Sequence, residues 1–205
     1  MARLPVRTSV THPLRIAQMP AGESGGLLGI TFCPGKQGPS FGGFVWERDL
    51  GLDLDAIAAW QAAAVVTLIE DHEFELLRVP DLGSQLRARG IEWHHIPIVD
   101  VQPPDERFER AWVGSGPRLH EHLTAGRRVL VHCRGGLGRA GTVAARLLVE
   151  LGVPAMDAID KVRRVREGAI ETRAQERYVL SLPTPVMTKP RPISAAARAG
   201  KSEAG

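Results

Sequence analysis

Cysteine is scarce in this 205-residue sequence: there are two, Cys33 and Cys133, 100 positions apart. A disulfide framework or a cysteine-rich zinc module needs more than that, and two thiols suit a reducing compartment, so a cytoplasmic place is expected. Aromatic residues are few as well, at 5%, with a single tyrosine. No run of about 18 apolar residues occurs, which argues against a membrane-spanning helix. The first 20 residues hold three arginines but lack the apolar stretch of a secretory signal. Acidic residues are absent from positions 1–20 and reduced to Glu203 in 183–205. Each of these tails therefore carries +3, leaving −3 on residues 21–182, although the whole chain is +3. A nucleic-acid backbone needs a basic body, which this is not. Any anion site has to be local.

What is present is an ordinary globular balance, with 43% hydrophobic and 24% charged residues, enough for a sizeable core. The expected organisation is an N-terminal extension (1–26), one domain (27–182) and a disordered basic tail (183–205) rich in Pro, Ala and Lys/Arg. Short apolar runs predict strands at 27–32, 65–69, 91–99 and 128–132. Helical patterns punctuated by Pro and Gly fall at 54–64, 81–89, 105–125, 141–151, 154–166 and 172–182, with Gly114-Ser115-Gly116-Pro117 expected to break the third. Strand and helix alternation followed by consecutive helices predicts an α/β fold with a central, mostly parallel sheet flanked by helices.

The chemistry concentrates in His132-Cys133-Arg134-Gly135-Gly136-Leu137-Gly138-Arg139-Ala140-Gly141, between the last strand and a helix. Ligands of open α/β sheets bind at the carboxyl ends of strands. Three glycines let the backbone turn tightly and aim N–H groups at one point, and the helix N-terminus adds partial positive charge. Arg139 offers a planar fork matched to phosphoryl oxygens. Such a cradle favours the thiolate form, so Cys133 stands where a nucleophile and an oxyanion clamp coincide. The same loop formally matches a dinucleotide fingerprint, Gly136-x-Gly138-x-x-Gly141. That reading fails on the continuation, because a second helix follows where a strand ending in an acid is required.

The Cys-x5-Arg spacing resembles the phosphate loop of the cysteine-dependent tyrosine and dual-specificity phosphatases. Further segments resemble the cyclin-dependent kinase inhibitor 3 (kinase-associated phosphatase) branch: Leu28-Gly29, Cys33-Pro34-Gly35, Arg78-Val79-Pro80-Asp81-Leu82, Gly90-Ile91, His94 to Asp100, and Gly168-Ala169-Ile170-Glu171-Thr172 with Gln175. The resemblance spans roughly residues 28–182 and implies the protein tyrosine phosphatase fold. It implies hydrolysis of phosphomonoesters on tyrosine, serine or threonine through a phosphocysteine, with no metal and no cofactor. Cys133 is then the nucleophile. Arg139 and the loop from Arg134 through Gly135, Gly136, Leu137 and Gly138 bind the phosphoryl group. His132 supports the loop, and Gln175 helps position the hydrolytic water.

A serine or threonine alkoxide leaves poorly unless it is protonated, so a general acid is required. Asp100 lies 33 positions before Cys133 and Asp105 lies 28 before it. The resemblance implies an acid about 30 residues before the cysteine and places Asp100 at that position, while helix capping accounts for Asp105. One departure concerns Ala140, where the family usually has Ser or Thr, whose hydroxyl helps the thiolate depart in the second step. Thr142, two residues on, is not an automatic substitute. The expected partner is a phosphorylated protein or small phosphoester, with neither nucleic acid nor membrane involved. Two other readings stay open: a phosphate-binding module without turnover, or another cysteine-anion enzyme such as a sulfurtransferase or arsenate reductase.

Overall fold

The structure is a computed structural model that describes residues 4–40 and 42–183. Nearly all of the tail expected to be disordered therefore lies outside the described residues. Along the chain these form β1 (Val6–Thr8), β2 (Ala17–Pro20), β3 (Leu27–Phe32), β4 (Gln37–Pro39), β5 (Val45–Glu47), α1 (Leu50–Ala59), β6 (Ala62–Thr67), α2 (Asp71–Leu76), α3 (Leu82–Ala88), β7 (Glu92–His95), α4 (Glu106–Thr124), β8 (Arg128–Cys133), α5 (Gly138–Glu150), α6 (Ala155–Val165) and α7 (Arg173–Leu180).

Strand periodicity decides the layering. On β8, Val129 and Val131 enter one apolar cluster and Leu130 enters the other; on β6, Ala64 and Val66 oppose Val65 in the same way. Both faces of these strands are buried, which is why they read as continuous apolar runs. The sheet order is β2-β3-β8-β6-β7, with only β2 antiparallel. The helices after β7 supply Phe108, Leu119, Val143, Leu147, Ile159 and Val179 to one face, and α1 and α3 supply Leu54, Ile57, Leu82 and Leu86 to the other. The architecture is the expected mixed α/β fold. No helix among the described residues is long and apolar enough to cross a membrane.

Five expectations about elements change. The helix expected over 54–64 runs over Leu50–Ala59 instead, and Ala62–Ala64 already belong to β6. Residues 17–20, assigned to the extension, form an edge strand of the main sheet as β2. The β7 ladder ends at His95 rather than 99, because Pro97 has no N–H to donate, although Ile96 and Ile98 still donate to Thr67 O and Leu68 O. Helix α4 runs unbroken through Gly114–Pro117. The carbonyl that Pro117 leaves unpaired belongs to exposed Val113, where water can reach it, while Trp112, Gly116 and Leu119 keep the inner face buried. Helix α5 starts at Gly138, three residues before the expected Gly141.

A second sheet, β1-β5-β4, packs beside the carboxyl end of β8. Its anchor is Arg48, which follows β5. The Arg48 guanidinium grips Asp53 of α1 in two hydrogen bonds of 2.7 Å and donates to His12 O at 2.8 Å. Asp53 also accepts from Gly35 N at 2.8 Å, so four chain segments meet at one buried ion pair. Removing one partner strands the other charge. Arg48→Met is expected to destabilise the fold by about 3 kcal/mol in urea unfolding at neutral pH; a change below about 1 kcal/mol would contradict the anchoring role.

Candidate active site

Cys133 ends β8 and is 3% exposed. Its Sγ accepts a hydrogen bond from Gly136 N at 3.2 Å, three residues along the loop. That bond requires Gly136 to adopt φ +68°, and a Cβ there would meet the Thr31 carbonyl carbon and oxygen at 2.5 Å. Glycine is therefore needed both for the turn and for the approach to β3.

The loop carbonyls are turned outward and held. Arg134 O accepts from Lys36 Nζ at 3.1 Å and Cys33 N at 3.4 Å. Arg166 donates to Gly135 O at 3.1 Å and Gly136 O at 3.0 Å. Leu137 O accepts from Gly141 N at 2.8 Å and Ile170 N at 3.4 Å. Holding the carbonyls outside orients the intervening N–H groups toward the concave side, the arrangement that binds oxyanions. Gly138 N already donates to a carboxylate there, Glu171 Oε2, at 2.7 Å. Glu171 lies inside a segment that carried the resemblance but had no role in the sequence reading.

Arg139 is 1% exposed. Its Nη1 and Nη2 donate to the two oxygens of Glu73 at 2.5 and 3.0 Å, and Nη1 also reaches Ile98 O at 3.2 Å. Nη2 meets Asp100 Oδ1 at 2.9 Å. Buried Nε has no partner among the described residues. One edge of the guanidinium is thus tied to Glu73, and on the Nε–Nη2 edge Nε is unpartnered while Nη2 holds an oxygen of Asp100, the side-on position that two oxygens of an anion would take. Burial alone would push the Glu73 carboxyl up, but the hydrogen bonds from Arg139 and Glu70 N and the charge of Arg139 hold it below the ordinary range. Burial likewise opposes the charge on Arg139, and Glu73 overrides it, raising Arg139 above its ordinary value.

Asp100 stands at the rim, half-exposed, and also accepts from Val101 N at 3.1 Å. Val101 is at φ +57°, a left-handed conformation that a β-branched residue adopts only under strain. Asp105 caps α4 through Phe108 N at 2.9 Å. His132 is fully buried, with Nε2 2.8 Å from the Thr67 hydroxyl. Trp93 Nε1 donates to the same hydroxyl oxygen at 2.8 Å, so Thr67 links His132 to Trp93. Burial pushes His132 down to about 3, so it is neutral and acts as a hydrogen-bonding strut below the loop. Gln175 completes a capping box with Thr172 and donates to Gln102 O at 3.2 Å, bridging α7 to the Asp100 loop.

Thr142 does not replace the missing hydroxyl at position 140. Its Oγ1 donates to Gly138 O at 2.8 Å in the buried first turn of α5. Cys33 is a free, buried thiol that burial pushes well above its ordinary value. Sequence reading missed Glu73 altogether; its one local signal is the Glu70-x-x-Glu73 spacing of a helix start. Deleting it leaves a buried guanidinium with its inner edge unsatisfied. Glu73→Ala is expected to lower kcat/KM by about 10²-fold and stability by about 3 kcal/mol, read by steady-state kinetics and urea unfolding. Retention of kcat/KM would show that Glu73 does not orient Arg139.

The family model described as Swiss Army Knife protein, DSP-PTPase phosphatase domain, matches residues 48–179. Cyclin-dependent kinase inhibitor 3 of Rattus norvegicus is 31% identical over 176 residues, 82% of this chain and 77% of that protein. The Homo sapiens protein of the same name is 39% identical over 140 residues, 65% of this chain and 63% of its own. Among solved structures, kinase associated phosphatase with its catalytic-site cysteine replaced by serine superposes with a TM-score of 0.70. It is 29% identical to this chain, and the match covers 82% of this chain and 92% of that one. A buried cysteine in an anion cradle, an arginine fork and these relatives lead to one conclusion: the chain belongs to the DSP-PTPase family of cysteine-based tyrosine and dual-specificity protein phosphatases.

Proposed function

We propose that this phosphatase hydrolyses phosphomonoesters on protein through Cys133, Arg139 and Asp100. The observation that carries the reading is their convergence: Cys133 Sγ under Gly136 N, the unpartnered Nε of Arg139, and Asp100 on the adjacent Nη2 at 2.9 Å. Arg134, Gly135, Gly136, Leu137 and Gly138 supply the N–H cradle, and His132 and Gln175 support it. A bound dianion takes the Arg139 edge and displaces Asp100 and Glu171.

In the first step the thiolate forms an S–P bond, the substrate P–O bond breaks, and the Asp100 proton passes to the leaving oxygen. In the second, water forms a P–O bond, the P–S bond breaks, and a water proton returns to Asp100. No metal and no cofactor takes part. Two free thiols fit a cytoplasmic place. The kinase-associated relatives make a phosphorylated protein kinase the substrate class to assay first.

p-Nitrophenyl phosphate turnover with EDTA present tests the assignment. Cys133→Ser is expected to abolish it, and turnover that survives that change would overturn the mechanism. Asp100→Asn is expected to lower kcat about 10²-fold for phosphates with poor leaving groups and much less for activated aryl phosphates. An equal loss on both would remove Asp100 as the acid. Ala140 and the committed Thr142 leave no hydroxyl to help the thiolate depart, so a pre-steady-state burst followed by slow turnover is expected. Ala140→Ser is expected to raise the slow rate without changing the burst, and an unchanged slow rate contradicts that account.

A further inference from the structure

Lys36 belongs to the N-terminal segment, ahead of the 48–179 family match. Its ammonium reaches into the active-site loop, where Nζ donates to Arg134 O at 3.1 Å. The ammonium lies over two aromatic rings, with Nζ 4.5 Å from the Phe32 ring centroid and 5.0 Å from that of Trp46. Those rings are themselves 5.3 Å apart, and Arg48, the anchor of the small sheet, lies over the same pair. A solvent-facing lysine is mobile; this one is fixed by two rings and a carbonyl.

We propose that Lys36 is a positioning residue of the phosphatase reaction: it holds the Arg134 carbonyl outward, and its charge favours the Cys133 thiolate and the bound phosphoryl dianion. The inference rests on the proposed role of Cys133. The titratable groups around the ammonium are Cys33, which burial keeps as a neutral thiol, Cys133, whose thiolate favours the positive form, and Arg48 and Arg134, which oppose it. Burial is the larger influence and brings Lys36 down to about 8. Its charge is therefore present at neutral pH and is lost as pH rises through about 8, weakening the cradle there.

Iodoacetate alkylation of Cys133, followed by peptide mass across a pH series, reads the thiol without requiring turnover. The full chain is compared as wild type, Lys36→Met and Lys36→Arg. The Met variant is expected to shift the profile to higher pH, slowing alkylation about tenfold on its acidic side, and the Arg variant to keep the wild-type profile. In an Asp100→Asn background with an activated aryl phosphate, where the general acid no longer shapes the profile, kcat/KM is expected to fall above about pH 8. Lys36→Arg is expected to remove that limb, because guanidinium stays charged. Superimposable Met and wild-type alkylation profiles, or an Arg variant that behaves as Met, overturn the proposal. Should the Met variant not fold, persistence of the high-pH limb in Lys36→Arg overturns it alone. A profile shifted by Lys36→Met in a protein whose wild type shows no turnover would instead defeat the proposed function, and would keep only the coupling of Lys36 to the Cys133 thiol.

Discussion

An anion cradle made of backbone depends on where its carbonyls go. N–H groups converge on one point only if the oxygens between them have partners on the outside. Here Lys36, Arg166, Ile170 N and Gly141 N capture the oxygens of Arg134 to Leu137 from different parts of the chain. Gly136 lets the loop lie against β3, with no room for a side chain. The sheet, the small N-terminal sheet and the α6–α7 connection thus all bear on one loop of a few residues. Distant changes in any of them act on phosphate binding through these oxygens.

Arg139 solves a different problem. A buried guanidinium costs several kcal/mol unless it is paired, yet a substrate clamp has to keep part of itself free. The division between Glu73 on the inner edge and a Nε–Nη2 edge held only by exposed Asp100 meets both demands. Asp100 and Glu171 occupy the anion-facing donors in this state, on Nη2 and on Gly138 N. Both are exposed and so can leave when a phosphate arrives. Strain at Val101, next to Asp100, marks the same loop as one that is held rather than relaxed.

Much of this was legible in residues alone. The β8–loop–α5 unit announces itself, because an apolar strand, closely spaced glycines and an arginine at fixed spacing are all local signals. The capping role of Asp105 was legible for the same reason, since capping is a local interaction. Glu73 was not, because its partner lies 66 positions away and helix-start chemistry accounts for an acid there without it. Lys36 was hidden similarly, 98 positions from the carbonyl it holds. The edge strand β2 is short and half polar, with little periodicity to read. Gly114 to Pro117 looked like a break because local propensity was read without the buried stripe of Trp112, Gly116 and Leu119 that keeps the helix together.

Everything in the account turns on a covalent bond between phosphorus and Cys133 Sγ. Acid quenching of the full chain during turnover of an aryl phosphate, followed by peptide mass analysis, reads that bond directly. The account predicts a phosphoryl group on the peptide bearing Cys133, accumulating because Ala140 offers no hydroxyl to speed its loss, and absent from Cys133→Ser. Turnover with no phosphorylated Cys133 at any quench time, or a phosphoryl group on another residue, would contradict it.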